Sequence, residues 1–233
     1  MNNISLKKMG KIFPLCALLC FCACEENSPE LLFGNQITEF SITIDNAEMA
    51  LVEGEISFKN VSILAVINQS DRIITATVPF GTDLTNLAPE IIKVSERATV
   101  TPATGVTGAN QDFSKLVSYT VKAENGSSNT YGVYLRKAEK PVLTGVTNSL
   151  KLGETATLSG QNLKINGFKT QVKFVYLYDP SSRIAALLEA APNADGTEAT
   201  LVLPDNLPKQ TYLVSIVVGG VESEGNEILN VEY

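Results

Sequence analysis

Reactive side chains are scarce in this chain, and their placement decides what chemistry is open to it. There is no histidine among the 233 residues, which excludes Ser–His and Cys–His nucleophile pairs and histidine metal sites. The four cysteines are Cys16, Cys20, Cys22 and Cys24, all near the N-terminus, so the folded part holds no disulfide. Neither a G-x-S-x-G elbow nor a phosphate-cradling G-x-x-x-x-G-K occurs. Carboxylates are plentiful, but a glycosidase needs two of them across a sugar-binding cleft. Acids scattered over short strands give no sign of such a pair, and no catalytic residue is assigned. Glu222, Glu224 and Glu227 form an oxygen-rich group near the C-terminus. It is open to two readings, a weak calcium site or ordinary solvated acids that keep strand edges from aggregating. Its spacing matches no calcium-loop motif, so no metal and no cofactor are expected.

Aromatic rings are the other candidate chemistry, because sugars stack on flat faces. Tryptophan is absent, which leaves tyrosine. In the stretch 171–178, Phe174, Tyr176 and Tyr178 share one face of an extended chain, and Val175 and Leu177 share the other. Two apolar faces mark either a central strand or a strand with an exposed aromatic stripe, and packing is the commoner use of such rings. Tyr134 points opposite Tyr131, Val133 and Leu135, which makes it the ring expected to face solvent. Tyr134, Tyr176 and Tyr178 are therefore the candidate ligand-binding residues.

The cysteines belong to a leader. Lys7, Lys8 and Lys11 precede an apolar run from Ile12 to Ala23, with no acid before Glu25. About twelve apolar residues are too few to span a bilayer core, which takes roughly twenty. A basic start, a short apolar core and a small residue before the cut describe a secretory signal peptide over 1–23. Phe21-Cys22-Ala23-Cys24 resembles the lipobox of bacterial lipoproteins, which implies lipidation of Cys24 and anchoring to a membrane. Cys16, Cys20 and Cys22 follow Leu15, Leu19 and Phe21, side chains too bulky for the position before the cut. Several acyl chains, at about 0.8 kcal/mol per buried CH2, anchor far more firmly than one. Residues 24–34 form an acidic tether beginning Glu25-Glu26. An acidic pair after the lipidated cysteine resembles the export signal of Bacteroidetes surface lipoproteins, implying an outer-membrane protein facing the exterior. The same residues also suit a plain solvated linker on the periplasmic side.

Loss of the leader removes three lysines and no acid, taking the net charge from −7 to −10. An acidic surface repels phosphate backbones, so no nucleic-acid partner is expected. About 210 remaining residues suit one large or two ordinary domains.

The elements that must position these residues are β throughout. Phe40, Ile42 and Ile44 alternate with polar neighbours, as do Ile74, Ala76 and Val78, and Val117, Tyr119, Val121 and Ala123. Asn125-Gly126 between two alternating runs reads as a hairpin turn. Asp83 to Leu87 could form one helical turn, and the run 183–191, rich in alanine and leucine, could be helical. Thr77 to Pro89, Ala98 to Gly105 and Tyr119 to Ser127 together resemble an uncharacterised immunoglobulin-like family common in Bacteroidetes surface lipoproteins. The resemblance covers 35–138 and implies a β-sandwich with no catalytic residues. After a charged, proline-containing boundary at 137–141, Pro141 to Val146, Leu152 to Leu163 and Gln210 to Val221 resemble an IPT/TIG domain over 140–233. The expected architecture is all-β, two tandem immunoglobulin-like β-sandwich domains behind a lipoprotein signal peptide. The expected role is a non-catalytic surface lipoprotein acting as a binding or adhesion module for glycan or protein. A structural spacer or accessory subunit of an outer-membrane nutrient-uptake complex is the alternative, with an outer-membrane protein as partner.

Overall fold

Period-two alternation of apolar and polar residues becomes extended chain almost everywhere in the computed structural model, which describes residues 32–102 and 110–232. The leader 1–23, Cys24, most of the tether and Ala103, Thr104 and Gly105 lie outside the described residues.

The first half forms two facing sheets. One has the order β2-β1-β5, from β1 (Ile37–Val52), β2 (Glu55–Leu64) and β5 (Pro89–Val94). The other has the order β3-β4-β8-β7-β6, from β3 (Val66–Asn68), β4 (Ile73–Val78), β6 (Thr99–Thr101), β7 (Val117–Lys122) and β8 (Ser128–Lys137). The pair β4–β8 is parallel, and the others in that sheet are antiparallel. Phe40, Ile42, Ile74, Val121, Tyr131 and Val133 point inward and are fully or almost fully buried. Phe40 meets Tyr119 edge-on at 5.6 Å between ring centres, joining the two sheets. The hairpin at Asn125-Gly126 forms between β7 and β8, with Gly126 at φ 88°. One 3-10 turn, Leu84–Asn86, occupies the expected helical stretch and is capped by the Asp83 carboxylate, which accepts from Thr85 N.

A second core lies between Leu143 and Val231. It is enclosed by β9 (Val142–Val146), β10 (Ser149–Lys151), β11 (Thr155–Gln161), β12 (Thr170–Tyr176), β13 (Ile184–Pro192), β14 (Glu198–Val202), β15 (Thr211–Val218), β16 (Val221–Glu222) and β17 (Glu227–Glu232). The ladder runs β10-β17-β15-β12-β13-β14-β11-β9. It turns over at β13, whose first part pairs with β12 and whose end, Ala191 and Pro192, pairs with β14. The two sheets thus fold onto each other as a sandwich. The chain is all-β, two β-sandwiches in tandem.

One expectation fails. Residues 184–192 are a strand, not a helix. Alanine and leucine favour helix locally, but that preference is worth only tenths of a kcal/mol per residue. Burial of Ala190 between two paired neighbours outweighs it.

Candidate functional site

The two sandwiches meet along a seam of side-chain and close backbone contacts. β1 is unusually long, and a register shift between Ile44 and Glu48 re-aims its second half. That half pairs with β2 and lies over the second domain, where the buried Gln171 side chain donates to the Met49 carbonyl oxygen at 2.9 Å. Lys169 sits 3.5 Å from both Glu48 and Glu189, and those carboxylates raise its pKa above the ordinary lysine value. Phe168 packs on both cores. Gly219 and Gly220 follow β15 with φ of 58° and 77°. A Cβ on Gly220 would stand 2.1 Å from the Asn46 carbonyl oxygen, so only glycine allows this approach.

Beside the seam lies a cleft of about 700 Å3. Its first wall is the outer face of β3, β4 and β8. The register aligns Val66 with Thr75 and Thr75 with Tyr134, and Thr77 with Arg136. Strand parity then sets one aromatic ring, two threonine hydroxyls and a guanidinium side by side. Tyr134 is 49% exposed, while Tyr131, Val133 and Leu135 on the opposite parity are buried. Leu64 and Val66, 70% and 71% exposed, extend the apolar part of this wall.

The second wall comes from two loops of the other domain, carrying Lys164, Asn166 and Asp195. Both are fixed before any ligand arrives. Ile165 is buried, Thr170 Oγ1 donates to the Leu163 carbonyl at 2.6 Å, and Leu163 N donates to the Gly196 carbonyl at 2.8 Å. Asn193 Oδ1 accepts from Thr197 N at 3.0 Å and closes the turn that holds Asp195. A half-exposed aromatic ring among a few converging hydroxyl, amide and charged groups is what a cleft needs to hold a polar ligand with apolar faces.

The other two sequence candidates stand elsewhere. Phe174 is buried and meets Tyr212 edge-on at 5.7 Å. Tyr176 packs partly onto that core, 5.6 Å from Tyr212 and under the Arg183 guanidinium. β12 ends there, so Tyr178 leaves the strand for a turn and is 85% exposed. Neither Tyr176 nor Tyr178 lines the cleft with Tyr134. In the turn after Tyr178, the Asp179 carboxylate accepts from Ser181 and Arg183. These bonds, the Ser181 hydroxyl first, lower its pKa to about 2.

The acidic group is dispersed by pairing. Glu222 accepts from Ser215 at 2.7 Å and meets Lys173, while Glu224 lies 3.3 Å from Lys140. Lys164, Asn166 and Asp195 carried no signal in the sequence beyond the turn markers Asn166-Gly167 and Asp195-Gly196. Nothing in those dipeptides says that the loops face β8.

Residues 55–135 match the model of a family described as SGBP, N-terminal. The matched segment runs from the start of β2 into β8 and includes the wall that carries Leu64, Val66, Thr75 and Tyr134. Among solved structures, the chain is similar to a surface glycan-binding protein SGBP-B of Prevotella bryantii, at 12% identity and TM-score 0.28, over 85% of this chain and 42% of that one. It is also similar to SGBP-B of a complex xyloglucan utilization locus in Bacteroides uniformis, at 18% identity and TM-score 0.29, over 82% and 48%. A third is SGBP-B of the Bacteroides ovatus mixed-linkage glucan utilization locus, solved with a mixed-linkage heptasaccharide, at 16% identity and TM-score 0.28, over 69% and 42%. The chain spans less than half the length of these three proteins. No curated protein matches it.

Proposed function

We propose that this chain is a non-catalytic glycan-binding protein of the cell surface, and that Tyr134 and the cleft between its two sandwiches receive the sugar. The match of residues 55–135 to the N-terminal SGBP family carries the reading. The geometry supports it with a half-exposed ring flanked by Thr75, Thr77 and Arg136 on a stiff sheet face. Tyr176 and Tyr178 form at most a secondary contact on the second domain. The proposal extends to the anchoring. Residues 1–23 are a signal peptide, Cys24 carries lipid at the outer membrane, and 24–34 are the tether. Residues 35–138 and 140–233 are the immunoglobulin-like and IPT/TIG-like domains.

A glycan array with the purified chain and its Tyr134→Ala variant tests the reading. Saturable binding to a defined oligosaccharide, weakened at least tenfold by Tyr134→Ala, is expected, since one stacked ring contributes on the order of 1 kcal/mol or more beyond its buried area. Absence of any sugar binding overturns it. One observation favours a second reading, that of spacer or accessory subunit: the seam of Gln171, Gly219 and Gly220 fixes the two domains against each other. A discrete outer-membrane protein co-purifying with a chain that binds no glycan would select that role.

A further inference from the structure

The cleft has a charge distribution that a neutral sugar does not require. Arg136 on β8 and Lys164 on the facing loop both line it, and neither has an ion-pair partner among the described residues. The cleft is lined by two cations against one acid, Asp195, in a molecule that carries 25 acidic and 18 basic residues. Seven other cations meet a carboxylate, among them Lys93 with Glu39 at 2.6 Å, Lys140 with Glu224 at 3.3 Å, and Arg183 with Asp179, while Lys59, Arg72, Lys122, Lys137 and Lys151 form no ion pair among the described residues either. Asp195 shares the cleft but lies beyond ion-pairing distance of both cations. It is free to accept hydroxyl hydrogen bonds from a ligand.

Resting on the glycan reading above, we infer that the sugar held in this cleft bears an anionic substituent, a uronate carboxylate or a sulfate ester, placed between Arg136 and Lys164. The two cations stand on opposite walls, so an anion between them faces a positive charge from each domain. The planar guanidinium fork suits the paired oxygens of a carboxylate or sulfate. The ammonium on its long stem supplies a point charge from the other side. Tyr134, two residues before Arg136 in β8 and so on the same face, offers its ring face to the pyranose that carries the anion. The adjacent hydroxyls of Thr75 and Thr77 reach the uncharged hydroxyls of that sugar.

Isothermal titration of the purified chain at about 50 mM salt, where exposed charges are only partly screened, tests this. The probes are an oligogalacturonide, a sulfated carrageenan oligosaccharide, the carboxyl-reduced galacturonide, and a neutral cello-oligosaccharide. Tighter binding of one anionic probe than of the neutral ones, by tenfold or more, supports the inference, and the probe preferred identifies carboxylate or sulfate as the anion. That preference must fall toward unity in Arg136→Gln and Lys164→Gln, and on raising the salt to about 0.5 M. Neutral probes bound as tightly as anionic ones, with both charge variants unaltered, overturn the inference and leave the glycan reading intact. Anionic binding that survives Tyr134→Ala unchanged also overturns it, because attraction would then be unspecific. No binding of any probe defeats the inference and the glycan reading together.

Discussion

Two buried phenols occupy opposite circumstances. Tyr119 is fully buried and its hydroxyl has no hydrogen-bond partner among the described residues, and burial pushes its pKa up to about 12. Tyr212 is equally buried, but its hydroxyl donates to the Pro208 carbonyl oxygen. A buried polar group without a partner forfeits its hydration, whereas a satisfied one contributes about 1 kcal/mol net. Urea unfolding is therefore expected to show Tyr119→Phe unchanged or more stable by up to about 1 kcal/mol, and Tyr212→Phe less stable by about the same amount. Asp179 sets a pH limit for its turn. Its folded pKa, about 2, lies below the ordinary 3.8. The ordering it supplies is thus complete above pH 4 and is lost as pH falls through about 2. The Ser181 amide resonance should report that midpoint, and titration near pH 4 would contradict it. At this scale the sequence was informative where a strand runs through. Tyr134 was readable as outward because Tyr131, Val133 and Leu135 claim the other parity. The same rule misplaces Tyr178, because β12 ends at Tyr176 and parity has no meaning in a turn.

Elements follow the same division between local and distant causes. β4, β7, β8 and the Asn125-Gly126 hairpin express alternation and turn chemistry carried by adjacent residues. β13 does not, since its partners β12 and β14 decide its conformation against local preference. The seam was invisible for a similar reason. Gly219-Gly220 reads as a turn, but its requirement for glycine comes from Asn46 and Pro79 of the other sandwich. Gly220→Ala is expected to lower the melting temperature and to increase amide exchange on both sides of the seam, at Ala47 to Met49 and at Phe168 to Gln171. Exchange unchanged there would show the contact to be dispensable. Gln171→Ala leaves the Met49 carbonyl without its donor in a buried setting and should cost about 1–3 kcal/mol in the same unfolding assay.

For the molecule as a whole, binding capacity arises from two sandwiches that each present an incomplete surface. β8 offers a ring and a guanidinium, and the loops at Lys164 to Asn166 and at Asp195 supply the facing wall. Composition and period-two alternation together point to an acidic β protein without nucleophile or histidine chemistry. They could not point to a cleft whose walls are separated by dozens of residues in the chain, because their meeting depends on the seam. The most direct test of the cleft is a chemical-shift titration of the isotopically labelled chain with an oligosaccharide that binds it. The largest shifts are expected at Thr75, Thr77, Tyr134 and Arg136 on one wall and at Lys164, Asn166 and Asp195 on the other. Shifts confined to Tyr178 and the turn that follows it, with the cleft silent, would contradict the central claim.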